Sequence, residues 1–148
     1  MIEQKLRLEA DYLARAILKN KGSFNSNNIK RASEELLLSK AWLGKMLSEL
    51  NYVSPYKNDG KRKDVGDIEK ADSLYEGDFS EFNSLSQIEK VDIIREKIKG
   101  MINDIKDIGI VKNREYNIAR TNVYNHLCLT CFFLGYELER IKLKNDNK

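Results

Sequence analysis

The chain has 148 residues, 41% hydrophobic and 33% charged, with 26 Lys and Arg against 23 Asp and Glu for a net charge of +3. That length supports one core or two small halves, and the near-balance of charge argues against a general nucleic-acid coat, which needs a basic stripe to release counterions. No apolar run approaches the roughly 18 residues of a membrane helix, and the start lacks the charged, apolar and small-residue series of a signal peptide, so a cytoplasmic protein is expected.

Residues 2–19 carry Ile2, Leu6, Leu13, Ala16 and Ile17 at spacings that mark one face of a helix, and Lys21-Gly22 ends it. The polar run 23–28 leads to a second helix, with Asn27 or Asn28 as the expected cap. Its stripe of Ile29, Ala32, Leu36, Leu43, Leu47 and Leu50 follows a seven-residue repeat. Two helices joined by a short polar turn hide such stripes only against each other and a partner, which predicts a helical hairpin over residues 1–52. Pro55 then forces Ser54 out of the helical region. Residues 53–85 read as a long polar loop with basic residues at Lys57, Lys61, Arg62 and Lys63. Loops beyond about 12 to 15 residues are uncommon inside compact domains unless functional or disordered, so this one is a candidate binding element.

The plan repeats over 86–148. Ser86 and Glu89 have capping-box spacing, and Ile88, Val91, Ile94, Ile98, Ile102, Ile105 and Ile108 keep heptad order up to Gly109. A turn near Lys112-Asn113 opens a fourth helix with the seam Leu127, Cys131, Leu134, Leu138 and Ile141. Residues 36–44 and 127–135 align with one offset, which puts Gly44 over Gly135 and Leu47 over Leu138 and indicates a duplicated hairpin. Mid-helix glycine costs about 1 kcal/mol relative to alanine, so the matched pair points to a close helix crossing or to a ligand against backbone. The expected fold is all-α, two long-helix hairpins in a helical bundle. The heptad seams and the outward Phe132, Phe133 and Tyr136 predict a homo-oligomer.

Trp42-Leu43-Gly44-Lys45 with Leu47 and Glu49-Leu50, then Ser54-Pro55-Tyr56 and Ile68-Glu69-Lys70-Ala71-Asp72, resembles the helical-hairpin domain of phage anti-defence sponges acting against CBASS and Thoeris immunity. In the second half, Ile102-Asn103-Asp104-Ile105-Lys106 followed by Gly109 resembles that family's first helix, and Ile118-Ala119-Arg120-Thr121 resembles the start of its second. The resemblance implies a protein without turnover, catalytic residues, metal or cofactor, which binds a cyclic oligonucleotide or cyclic ADP-ribose isomer in the host bacterial cytoplasm. Bases need planes for stacking, which Trp42, Tyr52 and Tyr56 offer. Phosphates need cations, which Lys45, Lys57 and Arg62 supply, with Arg120 and Thr121 as a second contact. Each has a plainer role: Trp42 as a core anchor, Tyr56 as loop packing, the lysines as a solvated loop, and Arg120 as a partner of Glu115 or Asp104.

Three other constellations carry chemistry of their own. Cys128 and Cys131 have CxxC spacing, but on a helix they share a face that His126 does not, and buried small hydrophobes describe them better than zinc or redox chemistry. Arg120 and His126 have the Arg-x5-His spacing that resembles HEPN ribonucleases, the enzyme alternative. Residues 32–53 imitate a DNA-binding helix-turn-helix, although Leu37 stands where the turn usually wants glycine.

Overall fold

The computed structural model describes residues 1–20, 22, 24–50 and 79–146. Among these there are five helices and no strand: α1 Ile2–Lys19, α2 Asn27–Glu49, α3 Ser80–Asn83, α4 Gln87–Ile108 and α5 Arg114–Asp146. The all-α expectation holds, and the long helices form two antiparallel hairpins, α1 with α2 and α4 with α5, joined mainly through α2 against α5.

Local chemistry sets the ends. α2 is capped by Ser26, whose side chain accepts from the Ile29 amide at 3.2 Å, and not by Asn27 or Asn28 as the polar run suggested. A serine in extended backbone one residue earlier reaches the same free amide. The Ser86–Glu89 capping box is present in both directions, at 3.3 and 3.1 Å. Gly109 ends α4 with φ +73°, a left-handed conformation in which a side chain would be strained. Asn113 then caps α5 through the Tyr116 amide, and Asn117 clamps the turn by bonding both the amide and the carbonyl of Val111.

The buried faces of the two hairpins correspond. Gly44 faces Arg7 and Gly135 faces Arg95, an index step of 88 from arginine to arginine and of 91 from glycine to glycine. With the first step, buried Leu6, Ala10, Leu13 and Ile17 fall on buried Ile94, Ile98, Met101 and Ile105. With the second, buried Ala32, Leu36, Leu43 and Leu47 fall on buried Val123, Leu127, Leu134 and Leu138. Ser39 and Thr130 also correspond, and each hydroxyl donates to the carbonyl four residues earlier. The matched glycines are therefore explained by an arginine side chain of the hairpin partner lying across each helix. Glu35 corresponds to His126, and the two meet, carboxylate to Nδ1, at 2.5 Å. In an antiparallel pair equivalent residues meet where a two-fold axis passes between the helices, so this contact marks a pseudo-dyad between α2 and α5.

Several expected positions differ. Leu50, assigned to the α2 stripe, is exposed because the helix ends beside it. Phe133 is half-buried under the Arg31 guanidinium, 4.9 Å from its ring centre, while Phe132 and Tyr136 are exposed as expected. The polar-loop expectation over 53–85 fails at its end: Phe79 and Phe82 are buried. Phe79 stacks on Tyr12 with centroids 5.3 Å apart, and Phe82 meets Phe24 edge-on at 6.5 Å. The chain leaves α2 beside the α4–α5 turn, where Asn113 donates to Glu49 at 3.2 Å, and returns at the opposite end of the bundle.

Two outcomes test this packing. Gly135→Ala should stabilise by about 1 kcal/mol, a few degrees in melting temperature, because the nearest Arg95 atoms leave 3.6 Å for the methyl. Gly44→Ala should gain less, since its methyl would stand 2.9 Å from Arg7 Nη2; equal gains in thermal melts would show that Arg7 is not held against the helix. The second concerns Glu137. Burial pushes its carboxyl up, but hydrogen bonds from Arg140, Ser26 and Asn28 outweigh this and leave it below the usual 4.5. A carboxylate held low in the fold contributes stability that is full above the ordinary value and is lost as pH falls through the lower folded value. Wild-type stability in urea should fall more steeply than that of Glu137→Gln between about pH 5 and 3, and parallel slopes would contradict this.

Candidate functional site

Of the eight proposed ligand residues, Tyr52, Tyr56, Lys57 and Arg62 lie outside the described residues, whereas Trp42, Lys45, Arg120 and Thr121 are within them. The antiparallel α2–α5 pair is fixed by Glu35 to His126 at one point and by Glu49 to Asn113 further along. Residues 42–45 and 117–121 lie between those points, so the four described candidates share one level of the bundle.

Their side chains already have work within the protein. Trp42 is partly buried and packs on the core, the anchor role that its size favours. Lys45 Nζ lies 2.9 Å from Glu49 Oε1, and the bonds from Lys45 and Asn113 hold the Glu49 carboxyl below its usual value. Arg120 does not pair with Glu115 or Asp104; its Nη1 donates to the Ile105 carbonyl at 3.4 Å, at the last turn of α4, where carbonyls lack helical partners. Its buried Nε has no acceptor among the described residues. The Thr121 hydroxyl donates to the Asn117 carbonyl at 3.1 Å.

Arg120 and His126 diverge. Six residues on a helix turn through about 600°, which sets them about 120° apart, and Arg120 reaches α4 while His126 reaches Glu35 on α2. No group of three His, Cys, Asp or Glu side chains suited to a metal occurs among the described residues. Cys128 and Cys131 are free and half-buried, and the Cys131 thiol points at the Arg95 carbonyl, 3.8 Å away. α2 runs unbroken from Asn27 to Glu49, so the turn of a helix-turn-helix does not form at Leu37. No described helix is long and apolar enough to cross a membrane.

A groove of about 320 Å³ lies elsewhere, lined by Ile88, Glu89, Asp92, Leu138 and Lys142 between the start of α4 and the end of α5. Its two carboxylates, with that of Glu89 held low by Ser86, oppose a phosphate ligand.

No protein-family model, curated protein or solved structure matches the chain. The likeness to the phage sponges therefore stands on the motif residues themselves.

Sequence reasoning passed over three buried polar contacts. Lys40 and Asp11 pair at 2.6 Å across the first hairpin. The Tyr116 hydroxyl donates to Glu3 at 2.6 Å, and burial followed by that carboxylate pushes the phenol well above its usual value. Lys90 donates to Asn20 at 2.9 Å, and Asn20 donates to Asn83 at 2.6 Å, which ties α3 to both hairpins. Lysines inside an apolar stripe, at 40 and 90, were the available signal. Burial also raises the Cys131 thiol, so its alkylation by iodoacetamide at about pH 8 should run slower than that of free cysteine. Peptide mapping that finds Cys131 as reactive as the free amino acid would contradict this.

Proposed function

We propose that the chain is a binding protein without turnover that captures a cyclic nucleotide immune signal, a cyclic oligonucleotide or cyclic ADP-ribose isomer, and withholds it from its effector. The observation that carries the proposal is the shared level of Trp42 and Lys45 on α2 with Arg120 and Thr121 on α5, next to the point where the chain runs on towards Tyr52 and Tyr56. A plane, an ammonium, a guanidinium and a hydroxyl are the groups a ring of bases and phosphates needs. The resemblance of residues 42–72 to the phage sponges supports the same ligand class. The nuclease alternative asks Arg120 and His126 to address one phosphate, and their divergence favours binding over cleavage.

Calorimetric titration with cyclic di- and trinucleotides and cyclic ADP-ribose isomers tests the proposal. One ring compound should bind at micromolar concentration or tighter, and Trp42→Ala should weaken it by about tenfold, the effect of one lost stack. Mass spectrometry of the ligand released by denaturation should return it intact. Absence of binding across the panel, or recovery of a hydrolysed product, rejects the reading. RNA cleavage that disappears in His126→Ala would put the nuclease in its place.

A further inference from the structure

α5 is apolar on more than its inner face. Ile118, Leu129, Phe132, Tyr136 and Leu143 are all at least 40% exposed. Single exposed apolar residues are ordinary. What sets these apart is their register: positions 118, 125, 132 and 139 form one row, and 122, 129, 136 and 143 another. The rows stand four and three residues apart, the spacing of a coiled-coil seam. The flanks of this strip are occupied. On one side His126 and Phe133 turn to Glu35 and Arg31 of α2, and on the other Cys131 and Gly135 turn to Arg95 of α4. The strip therefore faces away from its own bundle, and Phe132 and Tyr136 sit edge to face on it with centroids 4.7 Å apart.

Asn122, Asn125 and Glu139 interrupt the rows, and the interruptions identify the occupant. In an antiparallel pair of identical helices, each row faces the other row of the second copy. Centred between 129 and 132, that pairing sets Leu129 against Phe132 and Leu143 against Ile118. It also sets Tyr136 against Asn125 and Glu139 against Asn122. Apolar meets apolar in two layers, and a phenol or a carboxylate meets an amide in the other two. At the edges Arg140 faces Ala119 and Lys142 faces Thr121, with no like charges opposed. A parallel pair would instead set Glu139 on Glu139.

We infer that the outer strip of α5 is a homodimer interface on which a second copy packs antiparallel in this register. The inference does not rest on the proposed ligand, and it is tested without one. Sedimentation of the full chain should show twice the 17.2 kDa of one copy at tens of micromolar, dissociating on dilution. Phe132→Glu and Leu129→Lys should each raise the dissociation constant by about 100-fold or more, the effect of a central anchor, with unchanged far-UV circular dichroism. Combined in one chain, they should restore the dimer, because each introduced amine then faces an introduced carboxylate of the other copy. A chain that stays at one copy up to a few hundred micromolar overturns the inference. So does a folded Phe132→Glu variant that still dimerises, or a folded double variant that stays monomeric.

Discussion

The crossing of α2 and α5 is the constraint that everything else obeys. α1 packs mainly on α2 and α4 mainly on α5, so the two hairpins meet chiefly along this seam. Ser39 and Thr130, both buried at equivalent positions, satisfy their hydroxyls on their own helices, so neither brings an unmet polar group to the seam. At the pseudo-dyad a true two-fold would oppose like with like. A carboxylate against a carboxylate repels, and a fused chain avoids this by holding glutamate at 35 and histidine at 126. The Glu35–His126 contact is thus where the internal repeat departs from symmetry, at a place where symmetry would be costly.

Around that seam, polar anchors fix how the hairpins close. A buried ion pair such as Asp11–Lys40 gains little over well-packed apolar residues, but either partner left alone in the core costs about 3 to 5 kcal/mol. Such pairs discriminate between registers more than they add stability. Lys90, Asn20 and Asn83 do the same for α3, drawing its single turn onto both hairpins while Lys19 and Lys90 cover the Phe79 and Phe82 rings. The two arginines that cross Gly44 and Gly135 show how a long side chain uses the space left by a missing methyl.

The architecture was legible because periodicity and capping are local. The spacing of isoleucines and leucines placed four helices, Ser86 with Glu89 and the glycine at 109 marked the ends of α4, and the aligned glycines exposed the repeat. The errors came where tertiary contacts decide. Nothing local tells that Ser26 and not Asn27 caps α2, that Leu50 falls past the last turn, or that Phe79 and Phe82 return to the core from a polar stretch. Chemistry was less legible than shape: Arg120 and His126 share a helix and a suggestive spacing, yet their directions follow from which helices flank α5. The outward strip was visible only as isolated aromatics until burial separated the two apolar faces of α5.

The repeat is uneven on its outside. The α2 positions equivalent to Ile118, Leu129, Phe132 and Tyr136 are Asn27, Leu38, Ala41 and Lys45, so one half carries the adhesive face and the other does not. Had both halves kept it, each molecule would offer two sticky sides, and copies would add end to end without limit. With one such side, pairing through it would close at two copies and leave the α2 flank, which carries Lys45 and the partly buried Trp42, outside the contact.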